Sequence, residues 1–244
     1  MGSRIGLIAP DETTFSWLYG RPWAPQGAMW ERAIAEWRTL GSDDEAMFET
    51  DIYIDCTDLG PQITWGTDPS QVMSIGDRVP DPADAEASRR PLLEKALAYM
   101  GLTPGMTIDG LPVDRVFIGS CTNARLPDLE EAAAIVRGRK VARGVQALVV
   151  PGSAKVRRDA EALGLDSVFR DAGFVWGETG CSMCVGANGD KGEKGERVLS
   201  TTNRNFENRQ GAGVRTHLVG PALAAAAAVT GKIVDVRKLM VGEA

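Results

Sequence analysis

Histidine is almost missing from this chain of 244 residues, occurring once, at His217. Acid–base or metal chemistry that needs paired histidines therefore has no source here. Cysteine is scarce as well: four residues in a chain of this size make no disulfide framework, which points to a reducing compartment. No run is long enough to cross a bilayer. The longest apolar stretch, Pro221 to Thr230 with five consecutive alanines, is about half the required length and reads as a buried helix. No charged, then apolar, then small-residue leader opens the sequence, so a cytoplasmic location, or an organelle matrix, is expected. Excess positive charge is lacking too. The net charge is −6, with 27 Lys and Arg scattered rather than striped, which argues against a nucleic-acid partner and against a membrane surface.

What remains is a chain with 43% apolar residues, enough to bury a core. Residues 1–90 read as a loop-rich lead-in, punctuated by prolines at 10, 22, 25, 61, 69, 80 and 82. A helix pattern runs from Ala28 to Leu40, and a short strand is predicted over Asp51–Asp55. Trp17, Trp23, Trp30, Trp37 and Trp65 in this half require a surface to pack on. From residue 91 the punctuation becomes regular. Helices are predicted at 91–101, about 126–138 and about 154–164, alternating with strands at 115–118, 145–150 and 174–176. This is the pattern of βαβ units, so residues 91–244 are expected to form an α/β domain on a parallel sheet. Ligands in such sheets sit at the carboxyl ends of the strands.

Three cysteines fall on that edge: Cys121 in Gly-Ser-Cys-Thr-Asn, and Cys181 with Cys184 in Gly-Cys-Ser-Met-Cys. By spacing alone Cys-x-x-Cys fits a zinc half-site, a redox pair or chance, as well as two corners of an iron–sulfur cluster. Zinc would have to recruit His217 as a fourth ligand, and a thioredoxin-like pair would open a helix straight after the first strand, which this pair does not. Three thiolates on a four-iron cluster would leave one iron open to act as a Lewis acid. Cys56, with no second ligand near it, is expected to be a packing residue. Arg204 and Arg209, set among asparagines and near Gly211 and Gly213, can clamp a carboxylate through bidentate bonds. Ser153, after Pro151-Gly152, is a candidate helix N-cap, and His217 reads as a satisfied structural residue.

Taken together, Val116-Phe-Ile-Gly-Ser-Cys-Thr-Asn123, Val149-Val-Pro-Gly-Ser153, Gly180-Cys-Ser-Met-Cys184, Thr202-Asn-Arg-Asn-Phe206, Arg209-Gln-Gly211 and Arg215-Thr-His-Leu218 resemble the aconitase superfamily. Within it, the pattern is similar to the large subunits of isopropylmalate isomerases. Ile8 to Thr14, Thr64-Trp-Gly-Thr67 and Glu94 to Met100 extend the likeness over roughly residues 3–238. The resemblance implies an aconitase-like fold and a [4Fe-4S] cluster held by Cys121, Cys181 and Cys184, with Asn123 and Asn203 hydrogen-bonding around it. It implies that Arg204 and Arg209 hold the carboxylate of a small dicarboxylic hydroxy acid, and that water is removed from 2-isopropylmalate and re-added to give 3-isopropylmalate, a step of leucine biosynthesis. Family large subunits are about twice this long. The chain therefore corresponds to a carboxyl-terminal half, without catalytic residues beyond the cluster. Its expected partners are the amino-terminal half and a small subunit carrying the swivelling domain, and alone it is expected to be inactive. Ala124 in place of serine, Val185-Gly-Ala187 in place of Leu-Ala-Met, and Val198 in place of cysteine depart from the pattern. A related hydro-lyase acting on homoaconitate, a methylmalate or dimethylmaleate, or a non-catalytic binding or assembly module, stand as alternatives.

Overall fold

The computed structural model describes residues 6–187 and 189–240, in two compact units divided after Asp55. The first holds two helices, α1 (Glu12–Leu18) and α2 (Ala28–Trp37). Asp11 caps α1 by accepting from the Thr14 amide at 2.8 Å. An aromatic cluster forms the centre of this unit. Trp30 meets Trp37 edge-on at 5.8 Å, Phe15 stacks on Trp37 at 6.0 Å, and Tyr19 meets Trp30 at 5.3 Å. The strand expected at Asp51–Asp55 does not form: this run belongs to neither sheet of the described residues, and Ile52, Tyr53 and Ile54 are exposed. Alternation over five residues cannot substitute for a ladder with a neighbouring strand.

The second unit is built on a parallel sheet of β3 (Arg115–Ile118), β4 (Gln146–Val149), β5 (Val175–Trp176), β6 (Arg197–Ser200) and β7 (Arg215–Leu218), in the order β5-β4-β3-β6-β7. Before it come the antiparallel pair β1 (Gln62–Thr64) and β2 (Val72–Ser74), and α3 (Arg90–Met100). Val116, Phe117 and Ile118 are fully buried in the central strand, the continuous apolar signature of a parallel strand covered on both faces. Residues 56–90 pack with this unit: Ile63, Trp65 and Met73 belong to the main core, and Ile63 bridges to Val219 beyond β7.

Helices α4 (Leu126–Val136), α5 (Ala154–Ala162), α6 (Leu165–Ala172) and α7 (Pro221–Thr230) connect or follow the strands, and the short α8 (Arg237–Met240) closes the described chain. The alanine run does what its composition predicts. Ala224 to Ala228 are buried with no measurable exposure, and α7 lies against α4 and β3, where only small side chains allow close approach. Pro221 starts this helix and Gly231, at φ 74°, ends it in the left-handed region. Helix α6 is unexpected from the sequence reading. Gly164, at φ 70°, turns the chain after α5, and Leu165, Phe169 and Ala172 then bury one face of a new helix.

Candidate metal centre

The chain leaves β3 toward β4 and β5 on one side of the sheet, then returns to place β6 and β7 on the other. Between β3 and β6 the direction of connection reverses, and the crevice at the carboxyl ends there is where open α/β sheets bind ligands. The loops after these strands are stitched together. Thr201, fully buried after β6, accepts from the Gly119 amide at 2.9 Å and donates to the Gly119 carbonyl at 2.8 Å. Asn123 donates to the Thr201 carbonyl at 2.7 Å. The loop after β4 joins them: the Gly152 amide donates to the Ala124 carbonyl at 2.9 Å, and a Cβ at Gly152 would stand 3.0 Å from that oxygen and 3.1 Å from the Ser120 carbonyl. Ser153 then caps α5, accepting from Val156, as its position predicts.

Cys121 lies exposed in the loop after β3. Cys181, exposed, and Cys184, buried, begin and end the short 3-10 turn that follows β5. Cys184 packs with Phe117, Val150, Met183 and Val198, so this turn sits on the strands that deliver Cys121. The described residues contain no three metal-ligating side chains already gathered at bonding distances; the structure brings the cysteines to one edge of the sheet without closing them on a common point. Cys56 is exposed and not a packing residue, contrary to the sequence reading, because its stretch lies outside the core.

Three non-glycine residues among those described adopt positive φ: Ser120 at 90°, Ser182 at 44° and Asn208 at 69°. Each adjoins a residue singled out from the sequence, namely Cys121, Cys181 and Arg209. Backbone held in this sparsely populated region persists only where surrounding bonds enforce it. The bonds are present. Ser182 Oγ donates to Asp190 at 2.7 Å, the Asn123 amide donates to Ser120 Oγ, and the Asn208 amide donates to Tyr99 Oη at 2.9 Å, which itself donates to the Val214 carbonyl.

The two arginines differ. Arg204 is exposed, near Asp68, whose carboxyl is held below its ordinary range by the Ser70 hydroxyl and amide, with Arg204 adding its charge. Arg209 is half-buried beside the cysteine turn. One terminal nitrogen donates to Cys184 Sγ at 3.7 Å, its guanidinium lies 5.1 Å from the centre of the Phe206 ring, and its Nε is buried without a partner. Asn203 is exposed next to Arg204, while Asn205, fully enclosed, donates to Gly66 O at 2.7 Å and ties the arginine loop to the β1 hairpin.

Sequence reading missed Thr201, Gln210, Tyr99 and Asn205 as organisers of the site. Gln210 is completely buried, donates to Met183 O at 3.0 Å and to Ser200 Oγ at 3.1 Å, and accepts from Thr216 at 2.9 Å. It thereby joins the cysteine turn to the ends of β6 and β7. None of the four carries a spacing signal: Tyr99 sits in α3, and Thr201, Asn205 and Gln210 in the stretch between β6 and β7. His217 is structural, as expected. Nδ1 bonds to Thr64 O and Nε2 faces Arg197 Nη1, both at 2.6 Å, and burial, with the Arg197 charge beside it, pushes its pKa down to about 3. The ring is neutral, with Nδ1 donating and Nε2 accepting.

With both ring nitrogens engaged, His217 is not available as a fourth zinc ligand. What remains at the edge is three sulfurs and a buried, unpartnered guanidinium nitrogen, a donor set that suits a three-thiolate cluster facing an anionic ligand. Ala124 and Val198, two of the departures from the family pattern, are fully buried and belong to core clusters, so they act on packing.

This α/β sheet edge with three cysteines and an arginine loop agrees with the sequence relationship. The aconitase family (aconitate hydratase) matches residues 1–231, and the chain belongs to that family. Among individual relatives, the 3-isopropylmalate dehydratase large subunit 1 of Bradyrhizobium diazoefficiens is 60% identical over 240 residues, which is 98% of this chain and 50% of the relative. The chain thus spans half the length of that subunit.

Proposed function

We propose that this chain is the cluster-bearing, carboxyl-terminal half of a [4Fe-4S] hydro-lyase that interconverts 2-isopropylmalate and 3-isopropylmalate in the cytoplasm. The observation that carries the reading is 60% identity to a named dehydratase large subunit over 98% of the chain, supported by the placement of Cys121, Cys181 and Cys184 in the loops after β3 and β5 and by the buried, unpaired Nε of Arg209 beside the Cys184 turn. Cys121, Cys181 and Cys184 would hold the cluster, which when bound supplies a Lewis-acidic iron for the substrate hydroxyl and carboxylate. Asn123 and Asn203 would hydrogen-bond around it. Arg204 and Arg209 would hold carboxylate, Arg209 through the fork that its stacking on Phe206 orients.

The proton-transferring groups belong, in this reading, to the amino-terminal half and to the small subunit. Exposed Trp23, Met47 and Tyr53 in the first unit supply apolar surface for such a partner. No described helix is long and apolar enough to cross a membrane. The test is reconstitution with an amino-terminal half and a small subunit of a dehydratase, assaying 2-isopropylmalate. Turnover should require all the parts, and full turnover by the purified chain alone would contradict the proposal.

A further inference from the structure

Arg209 does more than its exposed neighbour Arg204 can do, because it is locked against the cysteine turn from three directions. On its amino-terminal side, Asn208 is held in the left-handed region by Tyr99 Oη on its amide and by its own Oδ1, which accepts from Gly213 N at 2.9 Å. On its carboxyl-terminal side, Gln210 reaches the carbonyl of Met183, the residue before Cys184. The side chain itself rests on Phe206, with one terminal nitrogen aimed at Cys184 Sγ. Of its donors, one faces sulfur while Nε stays buried and unpaired. We infer that Arg209 bridges cluster and substrate, giving one N–H to the sulfur of Cys184 while the rest of its fork takes the carboxylate. This rests on the proposed three-cysteine cluster and adds a role for Arg209 that carboxylate binding does not require.

Hydrogen bonds to ligating sulfurs raise a cluster's reduction potential and protect the metal–thiolate bond, because they stabilise charge on sulfur. Removing the bond should therefore show without any substrate or turnover. The experiment compares the anaerobically reconstituted full chain with its Arg209→Gln and Arg204→Gln forms. Both substitutions remove one positive charge from the same loop, and only the first removes a sulfur contact. Two quantities are read: the midpoint potential, and the rate of iron release to a chelator. The inference expects Arg209→Gln to have the more negative potential and to lose iron roughly tenfold faster than Arg204→Gln, the low end of what losing an outer partner of a metal ligand costs. Should the glutamine form not fold, Arg209→Lys replaces it. A single ammonium cannot keep both the sulfur bond and the stacking on Phe206, so it too should release iron faster than Arg204→Gln. Equal behaviour of the two positions would overturn the inference and leave the proposed function standing. A wild-type chain that holds no cluster would overturn both.

Discussion

Replacing Thr201 by valine keeps the shape of a fully buried side chain and removes one hydroxyl. That hydroxyl accepts from Gly119 N at 2.9 Å and donates to Gly119 O at 2.8 Å. Valine leaves both backbone groups of Gly119, at the carboxyl end of β3, without these bonds, and a buried polar group stranded in this way costs about 1–3 kcal/mol. With both groups affected, the expected destabilisation is about 2–6 kcal/mol. Thr201→Ser keeps the hydroxyl and loses only a methyl, so it should cost about 1 kcal/mol. Equilibrium urea unfolding followed by circular dichroism measures all three proteins, with the denaturant slope held in common. A loss below about 0.5 kcal/mol in Thr201→Val, the size of an ordinary surface change, would refute the claim that this hydroxyl staples the two loops. The same variant should show faster amide exchange in residues 119–123, because the Cys121 loop would lose its tether to β6.

His217 is the only histidine, so its ring signals in a proton NMR spectrum are unambiguous. They should not shift between pH 5 and 8, since its folded pKa lies near 3, and a midpoint near 6.5 would contradict the buried Arg197–His217–Thr64 arrangement. Because the folded pKa is depressed, the unfolded chain takes up the proton first. Stability from this group is therefore complete above about pH 6.5 and is lost as pH falls toward 3, at up to about 1.4 kcal/mol per pH unit. Gly152→Ala places a Cβ 3.0 Å from Ala124 O and 3.1 Å from Ser120 O, and should cost about 1–3 kcal/mol by thermal or urea unfolding. An unchanged midpoint would mean that the three loops are not packed as described.

The sequence announced the sheet wherever a strand was apolar throughout. Val116-Phe-Ile118 and Ala147-Leu-Val149 were legible because both faces of a central parallel strand are buried. β6 and β7 were not, since Arg197, Ser200, Arg215, Thr216 and His217 break the continuous apolar run that marks a buried parallel strand. Much of their polarity is absorbed by partners remote in sequence: His217 by Thr64 and Arg197 by the Met100 carbonyl. No local pattern reports a satisfaction that depends on residues a hundred positions away. The cysteines and arginines stood out from their motifs, whereas Thr201, Gln210 and Tyr99, which position those motifs, carry no spacing signal. The strand expected at Asp51–Asp55 erred the other way, with the right residues and no sheet to join.

In the proposed enzyme, Cys121, Cys181 and Cys184 together hold one cluster. Anaerobic reconstitution of the chain with iron and sulfide, followed by iron and sulfide counting and a visible spectrum, tests it directly when Cys121→Ala, Cys181→Ala and Cys184→Ala are run alongside. The wild type should bind about four irons and four sulfides per chain, with visible charge-transfer absorbance, each single variant should lose both, and Cys56→Ala should behave as wild type. A cluster that survives removal of any one of the three, or that disappears with Cys56, would contradict this assignment.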